Sequence, residues 1–172
     1  MTLNEYQTLA ARTIATDDKV DMERHALYGL TAEIGELLDS CLGTDVDHTI
    51  KECGDVCWMI AELCTARGWF LGNLLYPEHW TFKVGQMTNC MDIAIANGLL
   101  NGTYQKVLQG YEWDDGMVRF AIDEIFARIS AIANLCGTDL DCVLQTNIEK
   151  LKARYPMGFS ADRSLHRTDG DV

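Results

Sequence analysis

Residues 29–36 read Gly29-Leu30-Thr31-Ala32-Glu33-Ile34-Gly35-Glu36, and residues 51–58 read Lys51-Glu52-Cys53-Gly54-Asp55-Val56-Cys57-Trp58. Fifteen residues separate Glu36 from Glu52. In each stretch two acids stand at i and i+3, a spacing that puts both side chains on one face of a helix, a turn apart. Stepping about 100° per residue from Glu33 puts Leu30, Ile34, Leu37 and Cys41 on an adjoining apolar arc. Glu33 falls at the edge of that arc and Glu36 just beyond it. From Glu52, the residues Val56, Ile60 and Leu63 form the arc, Glu52 lies within it, and Asp55 lies just outside. A solvated acid face would sit opposite the core stripe. For one E-x-x-E, ordinary surface acids are a sufficient explanation. Two matched pairs beside the core stripes of consecutive helices predict four converging carboxylates, which are costly unless compensated. A hard divalent cation with oxygen ligands is the simplest compensation.

The rest of the sequence fits an all-α helical bundle. The 172 residues suit a single domain covering 1–172, with enough chain to bury a core. Apolar residues make up 48% and charged residues 23%, a globular rather than disordered balance, and there are only 2 prolines. Apolar spacing predicts helices over residues 3–16, 22–42, 47–67, 81–96, 103–108, 117–135 and 139–153. Gly43, Gly68 and Gly137 serve as stops, and Asp45 or Asp47 as a cap. Thr16-Asp17-Asp18 is expected to end the first helix. Residues 69–77 are expected to loop, 69–116 to form an inserted helical segment, and 155–172 an extended or irregular tail. A shift of 69 residues lays the helix around Asp55 on the one around Glu124, which suggests a degenerate tandem repeat of a helix pair. The second copy would keep only Asp92, Asp123 and Glu124 as acids.

A net charge of −12 argues against a nucleic-acid scaffold, since a phosphate backbone needs a cationic surface. It leaves a nucleotide substrate open, because a metal ion can mediate between acids and phosphates. The 7 cysteines show no C-x-x-C and no zinc spacing, as expected of reduced core cysteines in a cytoplasmic protein. No signal peptide and no run of 18 apolar residues is present, so no membrane association is expected.

The quoted stretches resemble the signature of the all-α nucleoside triphosphate pyrophosphohydrolases, the MazG-like group. Residues 29–36 are similar to that family's glycine-leucine-x-glycine-glutamate-x-glycine-glutamate run, and residues 51–55 to its lysine-glutamate-leucine-glycine-aspartate run. Residues 147–156 with Gly158-Phe159-Ser160 resemble the tail of phage and bacterial members. The likeness covers residues 3–68 and 117–167. Two features depart from it. Met59 stands where members often carry tyrosine, and 69–116 is additional to the short members, so that the chain resembles in outline the tandem, dUTPase-like branch. The resemblance implies hydrolysis of a nucleoside triphosphate, a dNTP or a non-standard NTP, to the monophosphate and pyrophosphate. Glu33, Glu36, Glu52 and Asp55 would be the catalytic and metal-binding residues, holding Mg²⁺ or Mn²⁺. Glu33, at the edge of the apolar arc of its helix, is the preferred general base. A homodimer or higher homo-oligomer is also implied.

Asn147, Lys150 and Arg154, at i, i+3 and i+7, share a helical face in a segment with five basic and two acidic residues between 147 and 167. Alone, this equally describes a basic helix end favoured by the helix dipole. With the resemblance, these three and Tyr155 become candidate substrate contacts. Trp58, one turn past Asp55, is placed either to stack a base or to pack. Tyr6 and Gln7 of the first helix are candidate builders of a base pocket. His25 and His48 lie near the acids in sequence and are left outside the metal set. Two other classes compete. A di-iron carboxylate bundle requires Glu-x-x-His pairs, which the sequence lacks. A non-catalytic nucleotide-binding or assembly bundle would use the same fold.

Overall fold

The computed structural model describes residues 1–81 and 85–166. The described residues form seven α-helices: α1 Leu3–Ala11, α2 Lys19–Ser40, α3 Val46–Arg67, α4 Gln86–Leu108, α5 Asp115–Leu135, α6 Leu140–Arg154 and α7 Ala161–Leu165. Among the described residues there is no strand, and the all-α expectation holds.

Local chemistry fixes the helix ends. Thr2 and Glu5 form a reciprocal capping box on α1. The carboxylates of Asp18, Asp45, Asp114 and Asp139 accept backbone N–H groups at the starts of α2, α3, α5 and α6. Gly68 ends α3 in the left-handed region at φ 69°, where a side chain would be strained.

The α2–α3 and α4–α5 pairs are helical hairpins packed against each other through α2 and α4, with α1 and α6 laid on α3. The predicted apolar arcs are the core. Leu30, Ile34 and Leu37 of α2 and Val56, Ile60 and Leu63 of α3 are all at most 3% exposed. The central rod is α3, which meets α1, α2, α5 and α6. Two glycines allow the closest approaches to it. A Cβ on Gly54 would sit 2.8 Å from Asn147 Cβ of α6, and one on Gly29 would sit 2.5 Å from the Met59 sulfur.

The 69-residue offset describes the two hairpins well. Bounds 46–67 shift to 115–136 against an observed 115–135, and 19–40 shift to 88–109 against 86–108. The acids do not repeat. Glu33, Glu36 and Glu52 map to Gly102, Gln105 and Ala121, and Glu124, opposite Asp55, is paired with Arg128 at 2.8 Å.

Several boundaries differ from expectation. The first helix ends at Ala11, not 16, and Asp18 starts α2 at Lys19 instead of closing α1. The separate helices over 81–96 and 103–108 are one helix, α4. Gly98 and Gly102, in or beside the expected gap, each face open space while Ile93, Ala96, Leu100 and Tyr104 bury the other side. That packing outweighs a propensity cost of about 1 kcal/mol per glycine. Residues 82–84 of the expected 81–96 helix lie outside the described residues, as do 167–172 of the tail, Arg167 included. The loop after α3 contains single 3₁₀ turns at Leu71–Asn73 and Pro77–His79, and the described part of the tail carries α7. Among the described residues no helix is long and apolar enough to cross a membrane.

The glycines make a paired prediction. Gly54→Ala should destabilise the fold by ~1–3 kcal/mol through overpacking against Asn147. Gly98→Ala on the open face of α4 should stabilise it by up to ~1 kcal/mol. Thermal melts of the two variants check both signs.

Candidate functional site

The α2–α3 crossing, α6 and the tail enclose a cavity of about 390 Å³ whose walls include Glu33, Glu36, Glu52, Asp55, Lys150 and Arg154. The four predicted acids therefore do open onto one space, but not as equals. Glu33, Glu36 and Glu52 each bring a carboxylate oxygen within 4.8 Å of the other two, and among the described residues this is the only such group of three or more potential metal-ligating side chains. Asp55 is occupied differently. Its Oδ2 lies 2.6 Å from Lys150 Nζ, and its Oδ1 accepts from Asn147 Nδ2 at 3.0 Å.

Burial sharpens the picture. Glu52 is 2% exposed. Its Oε1 lies 3.4 Å from His48 Nδ1, while its Oε2 is buried without a hydrogen-bond partner. An unpaired buried carboxylate oxygen is expensive, and here it belongs to a residue that lines the cavity beside two further carboxylates. Loss of water at Glu33, then the negative charges of Asp55, Glu36 and Glu52, push its carboxyl up to about 7. The same two effects, burial first and then Asp55, raise Glu52 as well. The donor set is all oxygen, part buried and part open, as a hard divalent cation with some retained water requires. The residues present fit Mg²⁺ or Mn²⁺ at Glu33, Glu36 and Glu52.

The predicted substrate contacts separate into two groups. Lys150, Arg154, Tyr155 and Trp58 line the cavity. Asn147 does not face it. It is 1% exposed and lies between α1 and α3, accepting from Tyr6 Oη at 2.9 Å while donating to Asp55. Its part is to position Asp55. Tyr6 is fully buried, Gln7 bonds to the Trp69 carbonyl and the Leu71 amide, and neither is among the residues lining the cavity. Trp58 is oriented by its Nε1 donating to Thr13 Oγ1 at 3.0 Å.

The cavity walls also include residues that the sequence reading did not assign to the site, Thr13, His25 and Phe159 among them. His25 Nδ1 lies 2.6 Å from Oε2 of buried Glu62, which raises the imidazole's pKa, and the ring meets Trp58 edge-on at 6.0 Å. Its position eight residues before Glu33, about 80° round the same helix, was the available signal. Phe159 packs on Tyr155 at 5.5 Å from beyond Pro156, and no helical spacing reaches it.

No protein-family model, no curated protein and no solved structure matches this chain.

The raised Glu33 carboxyl sets a pH dependence for the cation-free protein. Its folded value of about 7 exceeds the ordinary 4.5, so the stability it contributes is complete below 4.5 and is lost as pH rises through about 7. Glu33→Gln should therefore melt above wild type at about pH 8 and close to it at about pH 4 in chelator-treated samples. Equal melting points at both values would count against the strained acid cluster.

Proposed function

We propose that the chain is a divalent-cation-dependent nucleoside triphosphate pyrophosphohydrolase of the MazG-like all-α type, cleaving a dNTP or a non-standard NTP to the monophosphate and pyrophosphate. The observation that carries this reading is the unpartnered buried Oε2 of Glu52 beside Glu33 and Glu36, in a cavity that also holds Lys150 and Arg154. A triphosphate needs both signs of charge nearby. Acids alone would repel it, and cations alone would bind it without assembling a cation site.

Glu33, Glu36 and Glu52 are the residues to hold Mg²⁺ or Mn²⁺. A bound ion of this kind neutralises phosphate charge and polarises the phosphoryl group under attack. The Lys150 ammonium, fixed in the wall by Asp55, binds non-bridging phosphate oxygens, and Arg154 adds a second positive group. Glu33, whose carboxylate opens onto the cavity, is the residue to take the proton of the attacking water. Trp58 and Phe159 offer apolar surface for the base, and Trp58 is held in one orientation by Thr13.

The homodimer implied by the resemblance has a face to use. Met91, Ile95 and Leu99 form an exposed apolar stripe along α4, 57%, 63% and 37% accessible. All seven cysteines are unpaired, which fits a reducing, cytoplasmic setting.

A second reading, a bundle that binds nucleotide without hydrolysing it, draws on Asp55. That acid is already satisfied by Lys150 and Asn147 and needs no cation. One assay separates the two readings. With Mg²⁺ and a panel of NTPs and dNTPs, wild type should release equimolar pyrophosphate and monophosphate. Glu36→Gln should lose at least ~100-fold in kcat, as expected on removing a group that acts in the transition state. Folded wild-type protein that binds a nucleotide and turns over none would favour the binding bundle.

A further inference from the structure

At the end of the bundle where α2 stops and α4 begins, two sulfurs meet. Cys41 is the C-terminal cap of α2, and Cys90 lies in the first turns of α4. Their Sγ atoms are 3.1 Å apart although 49 residues separate them in sequence. A disulfide bond is about 2.0 Å long, so closing it takes an approach of about 1 Å. Cys41 is partly exposed and Cys90 is fully buried. Two further thiols come near from the remaining core helices: Cys53 of α3 and Cys136, which caps α5 and accepts from Gln86 Nε2 at 3.1 Å.

We propose that Cys41 and Cys90 form an oxidisable dithiol site, which a peroxide converts into a disulfide joining the end of α2 to the start of α4.

The arrangement is a pair and not a metal cage. A thiolate cage needs three or four sulfurs around one ion. Among the described residues, only the Glu33, Glu36, Glu52 group brings three ligand atoms within 4.8 Å of one another. The two thiols also differ in the way such a site requires. The hydrogen bond with Cys90, helped by Ser40, lowers the Cys41 thiol, while the same contact and burial raise Cys90. Cys41, the more exposed of the two, is therefore the sulfur that meets the oxidant, and Cys90 is the partner held beside it.

The chemistry balances in two steps. The Cys41 thiolate attacks one peroxide oxygen, the O–O bond breaks, and hydroxide leaves and takes up the proton that Cys41 had lost. Cys41 is then a sulfenic acid. Cys90 sulfur attacks Cys41 sulfur, the S–O bond breaks, and the departing hydroxide takes the Cys90 proton. Two thiols and one hydrogen peroxide become one disulfide and two waters. A dithiol reductant reverses the bond by exchange.

The test uses the full chain, reduced, freed of reductant and exposed to hydrogen peroxide. It is then alkylated while unfolded, digested and mapped by mass spectrometry. The expected product is a Cys41–Cys90 cross-linked peptide pair that dithiothreitol removes. The oxidised protein should also melt several degrees higher, because the bond closes a long loop in the unfolded chain. Cys41→Ser, a change at a partly exposed cap, should fold, show no cross-link and show no peroxide-dependent rise in Tm. Cys142→Ser, at an exposed cysteine, should keep both effects. Recovery of Cys41 as sulfinic acid with Cys90 alkylated would overturn the proposal. So would a cross-link that pairs either residue with Cys53 or Cys136 instead.

Discussion

Three carboxylates held within 4.8 Å of one another on two packed helices are the constraint around which this molecule is built. Repulsion and lost hydration both act against them, and the Glu33 carboxyl shows the result in its rise to about 7. The surrounding structure keeps the groups in place regardless. Leu30, Ile34 and Leu37 bind α2 into the core on one side of Glu33, and Val56 and Ile60 do the same for α3 beside Glu52. Apolar burial thus holds together what electrostatics alone would separate.

The fourth acid is held by a different device. A chain of hydrogen bonds runs from Tyr6 on α1 through Asn147 on α6 to Asp55 on α3, and Lys150 closes it one turn further along α6. It lies at the closest approach of α3 and α6, where Gly54 leaves no room for a side chain. Three helices are thereby set relative to one another at the wall that carries the cationic groups. Positive charge is brought to an acidic cavity without collapsing onto the three-carboxylate cluster. The second hairpin shows the contrasting case. There Arg128 lies 2.8 Å from Glu124 and 3.8 Å from Asp92, and among the described residues no second acid cluster remains.

Much of this was legible in the sequence, for physical reasons that differ by residue. The i, i+3 acid pairs beside apolar arcs placed Glu33, Glu36 and Glu52 correctly, because α2 and α3 are long, regular and capped by residues whose chemistry is local. Periodicity also found α5 and α6 almost to the residue. It failed at α4, which it divided into two helices, 81–96 and 103–108. Only the packing of Leu100 and Tyr104 against the core shows why the helix continues. It failed also at Asn147, which shares a helical face with Lys150 yet is 1% exposed, because the partner that buries it, Tyr6, is 141 residues away. A helical face states which side chains are neighbours along one rod. Which neighbour faces ligand and which faces another helix depends on contacts between distant segments. The pairing of Asp55 with Lys150 and the entry of His25 and Phe159 into the cavity are of this second kind.

The central claim is that Glu33, Glu36 and Glu52 share one divalent cation. Anomalous diffraction from crystals of the protein soaked in Mn²⁺ tests it most directly. The account predicts one strong peak between these three carboxylates, with metal–oxygen distances of about 2.2 Å and Glu52 Oε2 among the ligands. Crystals showing the three carboxylates in place with no peak between them, or the acids turned apart into solvent, would contradict it.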